Sequence, residues 1–198
     1  MKITFCKTIL VAAAIAGLAI VGSGAASAQD VYKVNYYSNN AAPAPDATVR
    51  IDNPGLTYGN LCAMIYVFAA DQQMTECCGC TASHNGLGTL SVRALTSNPL
   101  TGVVARTGVI KVVSAAVNSA PCDPTANVKP TANLRVWMTH IQNPVGTSYP
   151  ITETESSDST LGATELANLQ AECSFISILG SGAGSCQSLC PSGSLPGD

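Results

Sequence analysis

Alternating apolar and polar residues dominate the first two thirds of the chain. In residues 31–37, Tyr32, Val34 and Tyr36 alternate with more polar neighbours, which is typical of a strand with one apolar face. Similar short runs follow, separated by Gly, Pro and Asn turns. They predict strands over residues 47–52, 61–69, 74–81, 89–95, 102–105, 108–115 and 133–141. This pattern favours a mainly β fold, an antiparallel β-sandwich of the immunoglobulin-like or jelly-roll-like kind.

The periodicity changes after this β-sandwich domain, which we place at residues 29–152. The polar, acidic stretch 153–160 predicts an exposed linker. In residues 161–179 apolar side chains recur every three or four positions, which predicts one C-terminal amphipathic α-helix. The apolar positions of that helix are Leu166, Leu169, Cys173, Ile176 and Leu179. We therefore assign residues 153–180 to linker and helix, and the Gly/Ser-rich residues 181–198 to a tail.

The N-terminal 28 residues have the three parts of a secretory signal peptide. Lys2 and Lys7 form a short basic segment, residues 9–21 are an apolar run of 13 residues, and the Ala-Ser-Ala tripeptide 26–28 offers a cleavage site. A membrane-spanning helix needs about 20 apolar residues, so a permanent anchor is disfavoured. The sequence predicts cleavage after residue 28 and secretion to the periplasm, the cell surface or the medium, with no transmembrane anchor in the mature chain.

Charge is sparse and mildly acidic once the signal peptide is removed. Seven basic and twelve acidic residues remain, which gives a net charge of −5. Charged residues make up 11% of the whole chain, against about 25% in typical soluble domains. Scattered Lys and Arg residues do not form the basic patch that nucleic-acid binding requires. We therefore expect no nucleic-acid partner.

Eight of the nine cysteines lie in the mature chain, because Cys6 belongs to the signal peptide. An even number of cysteines in an exported chain predicts a disulfide-stabilised fold. The disulfide candidates are Cys62, Cys77, Cys78, Cys80, Cys122, Cys173, Cys186 and Cys190. The last two either pair with each other or attach the tail to the domain.

One pairing can be argued from local geometry. If strands 61–69 and 74–81 form a hairpin centred near Asp71, Cys62 lies opposite Cys80. We therefore predict a Cys62–Cys80 disulfide, with Cys78 as the diagonal alternative. Cys77 lies on the other face of the strand. A Cys77–Cys78 bridge would need a strained ring, so these two are expected to reach different and distant partners, with Cys122 and the tail cysteines as candidates.

A metal site is the alternative interpretation of the same cluster. Cys77, Cys78 and Cys80 place three thiols within four positions, which suits a soft ion such as copper(I) or zinc, and His84 follows four residues later. The two-residue gap common in zinc sites is absent. Because exported thiols are normally oxidised, disulfides are the favoured interpretation and no cofactor is predicted.

The remaining candidate residues favour structural roles. His140 shares a strand face with apolar residues, which favours a half-buried, hydrogen-bonded histidine over a ligand or a base. Glu153, Glu155 and Asp158 lie within six positions, where they suit calcium or paired-carboxylate chemistry, but a solvated linker is favoured. Exposed tyrosines are able to stack on sugars, although core packing is the simpler interpretation. The sequence has no Gly-x-Ser-x-Gly elbow and no phosphate-binding glycine loop before a helix.

Four segments resemble a set of uncharacterised secreted, cysteine-containing bacterial proteins. They are TVRIDNPG at 48–55, NLCAMIYVF at 60–68, ECCGC at 76–80 and LTSNPLTG at 95–102. The resemblance extends over about residues 31–140. It implies no activity, cofactor or site residue.

These observations favour a secreted, non-catalytic structural, adhesive or binding protein, with a protein or carbohydrate as the possible ligand. The alternative is a metal-binding or thiol-redox protein that uses Cys77, Cys78, Cys80 and His84. A third hypothesis is a carbohydrate-active enzyme that uses Glu153, Glu155 or Asp158.

Overall fold

The structure is a computed structural model that describes residues 30–56, 59–98, 101–117, 122–125 and 128–179. The predicted signal peptide, the tail and the tail cysteines Cys186 and Cys190 lie outside the described residues. The predictions made for those segments therefore stay predictions.

Nine strands and two helices form the described part of the chain. The elements are β1 Tyr32–Tyr37, β2 Thr48–Asp52, β3 Leu61–Ala69, β4 Met74–Ala82, β5 Leu87–Ser91, α1 Val92–Leu95, β6 Gly108–Ala116, β7 Arg135–Ile141, β8 Ile151–Glu155, β9 Ser157–Asp158 and α2 Ala163–Leu179. One sheet has five strands in the spatial order β4-β3-β6-β1-β9, and the other has four in the order β5-β2-β7-β8. All pairings between named strands are antiparallel.

The main hydrophobic core joins the two sheets. Ile65 and Val112 contribute to it from the five-stranded sheet, and Ile51 and Met138 contribute from the four-stranded sheet. All four side chains are almost completely buried. The mainly β, antiparallel, disulfide-stabilised fold with one C-terminal helix is thereby confirmed.

Helix α2 covers part of the outer face of the five-stranded sheet. Leu169, Cys173 and Ile176, three of the predicted apolar positions, pack there in a second core with Met64 and Tyr66 of β3. Because β3 is covered on both faces, residues 61–67 are all buried. This explains their nearly continuous apolar sequence. No helix in the described residues is long and apolar enough to cross a membrane.

Two disulfides reinforce this second core. Cys62 on β3 is bonded to Cys122, and Cys77 on β4 is bonded to Cys173 on α2. Cys78 and Cys80 are disulfide-bonded as well. The prediction of disulfides is therefore confirmed for these described cysteines, whereas the predicted Cys62–Cys80 pairing was wrong.

A β-bulge explains the error. Near the hairpin turn Phe68 faces Met74, as the predicted pairing requires, but Thr75 is an extra residue in β4 and shifts the register beyond it by one position. A shift of one residue moves every following side chain to the opposite face of the sheet. Cys80 therefore belongs to the core between the sheets, while Cys62 belongs to the core beneath α2.

The predicted linker at 153–160 was also wrong, since most of it is paired β-structure. Residues 151–155 form β8 at the edge of the four-stranded sheet, and residues 157–158 form β9 against β1. Every residue of β8 is exposed. An edge strand with polar side chains on both faces carries no apolar alternation, so its sequence resembles that of a linker.

Two predicted strands are shorter than expected. The strand predicted at 89–95 ends at Ser91, whose Oγ accepts a hydrogen bond of 3.0 Å from the backbone N–H of Ala94 and caps the short helix α1. In the predicted strand 102–105, only an isolated bridge from Val104 to Ser97 is present.

Candidate functional site

The four-stranded sheet turns one face to the core and the other to solvent. On β7, Val136 and Met138 are buried in the core, and Trp137 between them therefore points away from it. This residue is the only tryptophan of the chain. The solvent face of the sheet thus carries a large aromatic side chain that the core does not use.

Charged residues surround this tryptophan. Its cross-strand partners are Arg50 on β2 and Glu155 on β8. Arg50 Nη1 forms an ion pair with Glu153, and Arg135 Nη1 lies 3.2 Å from Glu155 Oε1. The four charged side chains are 36–49% exposed. The indole is therefore bounded by two partly exposed arginine–glutamate pairs.

A shallow depression of about 340 Å³ lies at this position. It is lined by Arg50, Asp52, Leu87, Trp137 and Glu153, and Leu87 is half exposed. Burial raises the pKa of Asp52, and the nearby Arg135 partly opposes that rise. We call this surface the Trp137 face and define it as Arg50, Asp52, Leu87, Arg135, Trp137, Glu153 and Glu155.

A second concavity of about 630 Å³ lies on the five-stranded sheet. Tyr36, Val109 and Phe68 form one row across β1, β6 and β3 in its floor. Lys111 Nζ lies 4.7 Å from the centre of the Phe68 ring and 2.7 Å from Glu165 Oε1 on α2. The cation of this groove is therefore already paired within the fold.

The same groove is adjacent to the buried histidine. The rings of Tyr36 and His140 stack with their centres 4.3 Å apart. Nε2 of His140 lies 2.7 Å from Oγ1 of Thr154. Burial lowers the pKa of His140, although a contact with the backbone of Tyr36 opposes the shift. His140 is hydrogen-bonded, as the sequence predicted, but at 1% exposure it is buried more deeply than the predicted half-buried position.

The cysteines proposed for a metal site do not converge. Cys77 faces α2 and is bonded to Cys173, whereas Cys78 and Cys80 face the core between the sheets. His84 is exposed in a turn, where its Nδ1 lies 2.8 Å from the side-chain nitrogen of Asn85. Among the described residues, no group of three His, Cys, Asp or Glu side chains is placed to hold a metal ion.

The three carboxylates singled out in the sequence are also separated. Glu153 and Glu155 belong to the Trp137 face, and each forms an ion pair with an arginine. Asp158 lies on β9 in the other sheet and forms an ion pair with Lys33, a lysine that is 2% exposed. The structure therefore assigns Asp158 to the packing of β1 and β9 and leaves two carboxylates beside the tryptophan.

Sequence reasoning did not identify the Trp137 face, although the signal was present. The alternation in strand 133–141 already assigns Val136, Met138 and His140 to one face. Trp137 is out of phase with these residues, so it belongs to the polar face. Arg50 is out of phase with its apolar neighbours on β2 in the same way.

Comparisons of the chain with protein-family models, with curated proteins and with solved structures found no match.

Proposed function

We propose that this chain is an exported, non-catalytic binding module whose ligand docks on the Trp137 face. The observation that carries the proposal is the position of the only tryptophan on the solvent side of a sheet, between two arginine–glutamate pairs. Tryptophan and arginine, together with tyrosine, are enriched among the energetically dominant contacts of protein–protein interfaces. A tryptophan that contributes nothing to the core is therefore a strong candidate for ligand contact.

The scaffold suits such a role. Trp137 and Arg50 lie on neighbouring strands that are paired through their backbones, and the opposite faces of both strands are fixed in the core. A binding surface on regular strands is positioned more rigidly than one on loops. Little conformational entropy is then lost when a ligand binds.

Export is supported by two separate features. The first 28 residues have the composition of a signal peptide. The described domain contains disulfides, which persist in oxidising compartments outside the cytosol. We therefore place the working protein outside the cytosol.

The test uses the processed, oxidised chain and three defined sets of extracellular materials, namely polysaccharides, phospholipid vesicles and purified extracellular proteins. Because the chain has a single tryptophan, a saturable change in its fluorescence reports contact at the Trp137 face. W137A is expected to weaken that binding at least tenfold when it is measured by co-sedimentation or biosensor.

F175A is the matched control. Phe175 is an aromatic side chain that is 64% exposed on α2, in the layer on the other side of the molecule. This variant is expected to bind like wild type. If no material binds, or if W137A binds as tightly as F175A, the proposed function is contradicted.

A further inference from the structure

We infer that the ligand of the Trp137 face is a neutral polysaccharide, bound by stacking of a sugar ring on the indole. This inference rests on the proposed function and adds the chemical class of the ligand. The Trp137 face presents an aromatic ring that is bordered by ion pairs. It has neither a large apolar patch nor an excess of charged groups of one sign over a wide area.

The indole ring of Trp137 provides a surface on which a sugar ring can stack. A pyranose ring has a face of C–H bonds, and the π face of an indole carries partial negative charge that attracts the positive ends of those bonds. Trp137 is partly exposed between β2 and β8. Half-exposed Leu87 lies in the same depression and offers a further apolar contact to a neighbouring sugar unit.

The charged side chains around the indole provide hydrogen bonds to the hydroxyl groups of the sugar. Residues two positions apart on a strand are separated by about 7 Å, so Arg135 lies about one sugar width along β7 from Trp137, and its ion-pair partner Glu155 lies directly across from Trp137 on β8. Arg50 lies across from Trp137 on the other neighbouring strand, β2, and its ion-pair partner Glu153 lies on β8 opposite Thr139. A guanidinium has five N–H donors and a carboxylate only accepts. The rim therefore offers both donors and acceptors to the hydroxyl groups of a stacked ring.

The balance of charge indicates that the ligand is neutral. The Trp137 face has two arginines and three carboxylates, and two of those carboxylates are neutralised by ion pairs with the arginines. A polyanion would meet repulsion from the carboxylates, and a polycation would have to displace the arginines. Hydroxyl groups accept and donate hydrogen bonds without disturbing these pairs.

A protein partner fits this surface less well. Stable protein interfaces bury about 800 Å² on each partner around an apolar centre. The Trp137 face has two apolar side chains, Trp137 and Leu87, and four of the five residues of the edge strand β8 are Thr or Glu. The mostly polar surface beside the tryptophan, on which Ile151 of β8 is exposed as well, instead suits a chain of sugar units.

The experiment measures binding of the processed chain to cellulose, chitin, soluble β-glucan, xylan and galactomannan. Polygalacturonate and heparin serve as the acidic comparison, and chitosan as the basic one. We expect at least one neutral polysaccharide to bind saturably and to change Trp137 emission.

W137A is expected to bind at least tenfold more weakly, and W137F, which keeps a smaller ring, only severalfold more weakly. R50Q is expected to fall between these two, and F175A to bind like wild type.

Three results would overturn the inference. The first is tighter binding to an acidic or basic polymer than to any neutral one. The second is neutral binding that W137A leaves unchanged while near-ultraviolet circular dichroism shows a native fold. The third is W137A-sensitive binding to a purified protein or to vesicles with none to polysaccharides, which would exclude the ligand class but leave the proposed function standing. If the chain binds none of the tested materials, both this inference and the proposed function are contradicted.

Discussion

Cys77 on the edge strand β4 is covalently bonded to Cys173 on α2, and the two Cα atoms lie 5.7 Å apart. The helix layer is therefore fixed to the five-stranded sheet by a covalent bond as well as by packing. In addition, Cys77 and Cys173 are themselves buried in the core beneath the helix. The disulfide therefore restricts the unfolded chain, and its two cysteines also pack in the second core of the folded domain.

Removal of this bridge is expected to destabilise the domain strongly. The disulfide closes a separation of 96 residues, and a disulfide typically stabilises a protein by about 2–4 kcal/mol, with the larger values for long loops, because it restricts the unfolded chain. The double variant C77A/C173A avoids a free thiol and should show this loss in urea unfolding. An unchanged urea midpoint would show that packing alone holds α2 in place.

The disulfide map of the native protein should contain Cys62–Cys122 and Cys77–Cys173. Cys78 and Cys80 are also bonded, and counting the cysteines of the mature chain leaves Cys186 and Cys190 as their expected partners. Mass spectrometry with electron-transfer fragmentation can separate the adjacent Cys77 and Cys78. A bridge between Cys62 and Cys80, or between Cys78 and Cys80, would contradict the expected map.

The fold class followed from the sequence because alternation and turn residues are local signals. The disulfide pairing did not, because it depends on one inserted residue, Thr75, whose bulge reverses the faces of β4 beyond it. The edge strand β8 was missed for a similar reason, since its pairing leaves no apolar periodicity. The Trp137 face was predictable in part, because the alternation of β7 shows that Trp137 points away from the core. Its two ion pairs were not predictable, because they depend on the order of the strands in the sheet.

Gly79 illustrates a contact that the spacing of cysteines cannot reveal. A Cβ atom at this position would lie 2.2 Å from the backbone oxygen of Cys122. We expect G79A to push this segment away and to cost about 1–3 kcal/mol in the free energy of unfolding, the range found for overpacked sites. Gly162 is the matched control, because a Cβ there meets nothing within 4 Å. Equal stability of G79A and G162A would mean that the Cys122 segment moves aside without cost.

His140 is expected to make stability depend on pH in the weakly acidic range. Burial lowers the pKa of this side chain below 6.5, so the unfolded chain binds more protons than the folded one between the lowered pKa and 6.5. Stability should therefore be complete above pH 6.5 and should fall as the pH drops through that window. Urea unfolding at pH 7 and pH 5 should show a smaller loss for H140Q than for wild type. A loss of the same size in both proteins would assign the pH dependence to other groups.

Asp52, on the Trp137 face, is expected to change the pH dependence of stability in the direction opposite to His140. Burial raises its pKa above the ordinary value of 3.8, while Arg135 attracts the ionised form. Because the folded chain then holds this proton more tightly than the unfolded one, the contribution of Asp52 to stability falls as the pH rises through the raised pKa. D52N cannot ionise, so at pH 7 it should be more stable than wild type by less than about 1 kcal/mol, and the difference should vanish below pH 3.8. The measurement is urea unfolding across this pH range. If D52N is instead the less stable protein at pH 7, attraction between Asp52 and Arg135 outweighs the cost of burial, and the charges of the Trp137 face stabilise the sheet.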